Sequence, residues 1–147
     1  MKATLADKHE IAIEFLSTSL ELFDREKYYS SLHLAGAADE IFADTLVDRG
    51  IEPTKSRDVR LAKKLENLYE GDNPSRESIE KVMDHSKNSI KHLRRGNEYI
   101  YEVYMRPNVD AFRIIRRAIK NARLCEIKFG TDINSFMARN ELELHNA

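Results

Sequence analysis

Apolar residues recur at three- and four-residue steps along most of this chain, the period of helices with one buried face. Ala12, Phe15, Leu16, Ser19, Leu20 and Phe23 predict a first helix to about Asp24, opened by Asp7 as N-cap with Glu10 three residues on. Arg25-Glu26-Lys27 is then a polar turn too short for anything but an antiparallel return. Ser31, Leu34, Ala35, Ala38, Ile41, Phe42 and Leu46 predict a second helix over Tyr28–Asp48, stopped by Gly50 and Pro53. The small run Ala35-Gly36-Ala37-Ala38 predicts close approach of a neighbouring helix backbone, because a mid-helix glycine otherwise costs up to ~1 kcal/mol against alanine. His33 reads as a packing residue beside this face.

A third, shorter helix is predicted over Ser56–Glu70 on Leu61, Leu65, Leu68 and Tyr69, broken by Gly71-Asp72-Asn73-Pro74-Ser75. The fourth, Ser75–Arg94, carries Ile79, Val82, Met83, Ser86, Ile90 and Leu93 on one stripe. His85, Asn88, Ser89 and His92 recur on a second, polar ridge of it. Gly96-Asn97 ends it. Glu98–Asn108 has no clean period and reads as an extended connector over the bundle. Ala111, Phe112, Ile115, Ala118, Ile119, Ala122 and Cys125 predict a fifth helix from an Asn108 cap to about Lys128, and Ile133, Phe136 and Met137 a short last one. The end, Asn140–Ala147, is polar and reads as disordered. The expected architecture is therefore all-α, an up-and-down antiparallel bundle of four to five helices with a short C-terminal helix. Its expected core is Leu16, Phe23, Ala35, Ala38, Ile41, Leu65, Val82, Met83, Ile90, Ile115, Ala118 and Ile119.

A length of 147 residues with 41% hydrophobic residues fits one domain, 1–147, with its core in about 7–128 and an extension over 129–147. The single cysteine, Cys125, allows no intrachain disulfide. With no apolar leader and no run long enough to span a membrane, the expected setting is cytoplasmic. The net charge of −1 conceals an asymmetry: Ser86–Lys128 holds eleven Lys and Arg against four acids. That excess suggests a polyanion partner; the alternative is a solvated face with ion pairs to the acidic half. Lys91, Arg94, Arg95 and Arg106 are the candidate nucleic-acid-binding residues; the tyrosines among them are expected to pack on the bundle, with stacking on bases as the alternative.

Five histidines raise the question of a metal, but neither HExxH nor Glu-x-x-His spacing occurs, and His85 and His92 stand about two turns apart. No metal and no cofactor is expected. Phosphate-loop glycine motifs and a serine-hydrolase elbow are absent as well. What remains is Lys87-Asn88-Ser89-Ile90-Lys91-His92, a cation, an amide and an imidazole within two turns. A phosphodiester needs a positive group for its oxygens and a proton shuttle near neutral pH. Lys87 and His92 lie well round from each other on one helix, so a second copy of the helix in a two-fold dimer would have to bring both groups to one phosphate.

Two stretches resemble the HEPN superfamily of helical nucleotide- and nucleic-acid-binding domains. One is Tyr28–Phe42; the other is Lys87-Asn88-x-x-x-His92, similar to the family's Arg, polar residue and His with four residues between Arg and His. The resemblance implies a helical bundle, often a homodimer with the two motifs facing each other. In active members, which are metal-independent ribonucleases, the Arg holds the scissile phosphate and the His transfers a proton. By position Lys87 would hold phosphate, Asn88 would orient it and His92 would be the acid/base. Lys87 keeps the charge but not the planar fork, which tilts the expectation toward a binding module for nucleotide, RNA or a protein partner. The family also supplies toxin–antitoxin and defence proteins, and members beside a nucleotidyltransferase or an antitoxin. A metal-independent endoribonuclease and a purely structural homodimer are the alternatives.

Overall fold

A computed structural model of the chain describes residues 2–68 and 75–144. The described residues form an all-α bundle with one small hairpin: α1 (Lys8–Asp24), α2 (Tyr28–Asp48), α3 (Thr54–Leu68), α4 (Arg76–Ser89), β1 (Arg94–Arg95), β2 (Glu98–Tyr99), α5 (Pro107–Leu124) and α6 (Thr131–Leu144). The Asp7 carboxylate accepts hydrogen bonds from the His9 and Glu10 amides and starts α1. Ser75 does the same for α4 through the Ser78 amide. The sequence break at 71–74 lies outside the described residues.

Three helix ends share one device, a residue in the left-handed region whose successor reaches back into the last turn. After α2 it is Gly50, as expected, with φ +71°. After α1 and α5 it is Glu26 and Glu126, at φ +59° and +60°. α5 therefore stops at Leu124 rather than running to Lys128, and the Ile127 amide donates to the Ala122 carbonyl at 3.1 Å. Its start also differs from expectation. Pro107 occupies the first turn, and Asp110 accepts from the Arg106 amide at 3.0 Å, so the cap is not Asn108.

The apolar core lies among α1, α2, α5 and α6. Leu16, Leu32, Phe42, Ile115, Ile119 and Phe136 are fully buried there. At one end Phe23 meets Tyr28, Phe112 and Phe136 with ring centroids 5.2, 6.1 and 5.4 Å away. Ser19 and Ser31 let α1 and α2 approach, and the Ser31 hydroxyl donates to the Ser19 carbonyl at 2.8 Å. Of the expected core, Leu16, Ala35, Ala38, Ile115, Ala118 and Ile119 are buried, and Phe23, Ile41 and Ile90 pack against them half-buried. Met83 is half-buried too. Leu65 and Val82 are not core: they are 56% and 74% exposed. His33 is exposed rather than packed.

α3 and α4 attach to this core differently. Among the residues whose burial is described, Val59 is the buried apolar residue of α3 and Ile79 that of α4; the other buried ones here are Thr54, Asp84 and Lys87. α4 is rolled so that Asp84 and Lys87 face inward, which turns Val82 outward. It also ends at Ser89, five residues earlier than its apolar pattern predicts. The chain then turns into the β1–β2 hairpin, which pairs Arg94 with Tyr99 and Arg95 with Glu98. Gly96 holds the first turn position at φ +62°, which a tight two-residue hairpin accepts most readily from glycine. The polar end expected to be disordered is helical through Leu144, and 145–147 lie outside the described residues. No helix among the described residues is long and apolar enough to cross a membrane.

Candidate nucleic-acid cleft and the ion network beneath it

α4 separates two polar systems. On its inner side is a charge network joining four helices. The buried Arg117 of α5 donates from Nε to Asp39 of α2 at 2.9 Å and from an Nη to Asp84 of α4 at 3.0 Å. The Asn121 amide donates to the second Asp39 oxygen at 2.8 Å, and its own oxygen accepts the Thr54 amide at 2.9 Å, which fixes the start of α3. Lys55 of α3 donates to the second Asp84 oxygen at 2.9 Å. Both carboxylates are thereby bonded through both oxygens, the condition under which buried charge is tolerated.

Lys87 belongs to this network. It is 5% exposed, and its Nζ lies 2.8 Å from Glu40 and 4.0 Å from Asp84. Lys91 shares Glu40 at 3.5 Å. Gly36 is what admits the lysine. A Cβ at Gly36 would stand 2.7 and 2.8 Å from Lys87 Cγ and Cδ, so the close approach predicted for the small-residue run is made by a side-chain stem, not a helix backbone. Burial raises the pKa of Asp84, but the Lys55 hydrogen bond and the charges of Arg117, Lys87 and Lys55 outweigh it, leaving the carboxyl below its ordinary value. Glu40 is lowered the same way, with burial opposed by Lys87 and Lys91. For Arg117 burial lowers the pKa, and Asp39 and Asp84 more than restore it.

On the outer side, His85, Asn88, Ser89 and His92 line a cavity of about 490 Å³ closed by the hairpin and the segment after it. Arg94, Arg95 and Lys81 line the same cavity, with Tyr101 and Tyr104; Glu102 is its acid. Ser89 Oγ lies 3.5 Å from His85 Nδ1. His92 is not on α4 but just beyond it, carried by the turn into the hairpin. Arg94 donates from Nε to the Gly96 carbonyl at 2.9 Å and lies 6.0 Å from the Tyr99 ring centroid. Arg106 lines an adjoining cavity of about 670 Å³, which shares Lys81, His85, Arg95 and Tyr104 with the first.

The residues proposed from sequence thus divide. Asn88, His92, Arg94 and Arg95 come together in the hairpin cleft, Arg106 borders it, and Lys87 and Lys91 turn to Glu40 on the other side of α4. Sequence reasoning missed Asp39, Glu40, Lys55, Asp84, Arg117 and Asn121. Their one signal is that charged or polar residues take buried helical positions at Asp39, Asp84, Arg117 and Asn121. Tyr101 and Tyr104 are 79% and 101% exposed, so the connector wraps the cleft rather than packing its rings into the bundle. Among the described residues no cluster of three or more His, Cys, Asp or Glu could hold a metal ion. Comparison with protein-family models, curated proteins and solved structures finds no match.

Proposed function

We propose that this protein is a HEPN-like module that binds single-stranded RNA in the hairpin cleft without cutting it. The observation that carries this reading is the position of Lys87. Its ammonium is 2.8 Å from Glu40 and almost wholly buried, so it neutralises a carboxylate of its own chain and cannot also grip a phosphate. The group that would hold the scissile phosphate in the nuclease motif is thereby removed from the surface that carries His92. What the cleft retains is suited to binding. Arg94 and Arg95 offer charge to a backbone, Asn88 and the imidazoles offer hydrogen bonds, and the exposed Tyr101 and Tyr104 offer faces for bases. Exposed Val82, Leu93 and Val103 beside the cleft favour a two-fold homodimer in which the clefts of two copies adjoin.

The test is fluorescence anisotropy of a labelled single-stranded RNA over a salt series, with the same samples run on a denaturing gel. Affinity should fall steeply with salt, Arg94→Ala with Arg95→Ala should weaken it, and the RNA should remain intact. Absence of binding in low salt defeats the reading. Cleavage that His92→Ala abolishes would replace it with the nuclease. The dimer is checked separately by sedimentation of wild type against Val82→Glu.

A further inference from the structure

A third cavity, of about 190 Å³, lies between the start of α3, the middle of α4 and the outer face of α5. It shares no lining residue with the hairpin cleft, although Arg113 also lines the adjoining 670 Å³ cavity. Arg113, Arg116 and Lys120 line it, spaced three and four apart and so stacked on one face of α5. All three are exposed, and none forms an ion pair with a described residue. The charge of Arg117, also in the wall, is already taken by Asp39 and Asp84. Asp58 is the only acid lining the cavity among the described residues.

Thr54, the first residue of α3, lines the same cavity. It is 5% exposed, and its hydroxyl makes no hydrogen bond with any described residue. Its amide is fixed to Asn121 Oδ1, so the helix start is held against the wall by the same network that buries Arg117. A buried hydroxyl without a partner is costly, and a helix start adds partial positive charge. Two guanidinium forks, an ammonium, a free hydroxyl and a helix start together match an anion with several oxygens. The volume falls below the range of about 300–1,000 Å³ that encloses a drug-sized ligand, so the cavity takes a phosphate group rather than a whole nucleotide.

We infer that this cavity is a binding site for a phosphate monoester, held by Arg113, Arg116, Lys120 and the Thr54 hydroxyl. The site is independent of RNA binding in the hairpin cleft. The experiment is an NMR titration of the 15N-labelled full chain with sodium phosphate, with adenosine monophosphate, and with sodium chloride at matched ionic strength. Phosphate should give saturable shifts at the amides of 54–58 and 113–120 that chloride does not reproduce. Arg116→Gln with Lys120→Gln should weaken phosphate binding about tenfold or more, leaving distant resonances in place because both side chains are exposed. Thr54→Val, which keeps the shape and removes the hydroxyl, should weaken it less. Tighter binding of the mononucleotide assigns the site to a nucleotide's phosphate, and equal binding to free phosphate. Chloride-like shifts, or a double variant that binds as wild type does, overturn the site. Arg94→Ala with Arg95→Ala should leave phosphate binding unchanged, so failure in the cleft and failure here are told apart.

Discussion

Phe42 and Arg117 are both buried, at 0% and 8% exposure, yet they hold different parts of the molecule. Phe42 sits among aliphatic and aromatic side chains where α1, α2, α5 and α6 exclude water from one another. Arg117 sits between Asp39 and Asp84 and ties α4 and α3 to that unit through charge. The first region is tolerant of detail, because apolar contact has no direction. The second depends on donors meeting acceptors one by one, and removing a single partner strands a charge. A helix held this way exposes apolar residues such as Val82 on its outer side and presents its polar ridge at a fixed angle.

The largest expected effect comes from taking the key cation out of the second region. Arg117→Met leaves Asp39 and Asp84 short of a partner and should cost about 3–5 kcal/mol in urea denaturation. Arg116→Met, one residue away but exposed, should stay within about 0.5 kcal/mol. Equal effects of the two would mean that the network does not hold α4.

Gly36→Ala comes next. The added methyl overlaps the Lys87 stem, so the lysine must shift away from Glu40 or α4 must move outward, at about 1–3 kcal/mol. The same substitution at an open mid-helix glycine would stabilise, so the sign of the change is the readout. A gain in melting temperature would show that Lys87 is not seated on α2.

Acid should loosen the charged region selectively. Asp84 has a lowered pKa in the folded chain, so its contribution is full above the unfolded value of about 4 and is lost as pH falls through the lower folded value. Amide exchange in α3 and α4 should therefore accelerate below about pH 4 before that of α2 and α5. In Asp84→Asn this acid dependence should largely vanish. The smallest effect belongs to Val82→Ser measured at a dilution where the chain is monomeric: it should change stability by less than about 0.5 kcal/mol, because in the protomer the side chain is mostly in water. A loss of several kilocalories in the monomer would mean that Val82 packs within its own protomer.

The same contrast explains what could be read from the sequence. Helices α1, α2 and α5 follow their apolar stripes because hydrophobic burial holds them, and periodicity reports on nothing else. On α4 the stripe Ile79, Val82, Met83, Ile90 competes with Asp84 and Lys87, and the ion partners on α2, α3 and α5 decide the roll. Those partners are 29 or more residues away in sequence from the α4 residues they hold, so no local pattern marks them. The early end of α4 was hidden for a related reason: Ile90 and Leu93 continue its period, while the hairpin at Gly96-Asn97 forces the chain to turn first. The polar ridge His85, Asn88 and Ser89 is legible because it needs only helical spacing, whereas His92 joins the same cleft from the turn beyond α4. The separation of Lys87 from that ridge is not legible, since that depends on Glu40 and on the gap at Gly36.

The most direct test of the account is an NMR titration of the protein with single-stranded RNA, following the Lys87 ammonium alongside the side chains of the cleft. On this account the resonances of His92, Arg94 and Arg95 move with added RNA, while the Lys87 signal stays where Glu40 holds it. A Lys87 ammonium that shifts with RNA and loses its Glu40 contact would return the lysine to the phosphate and contradict the account.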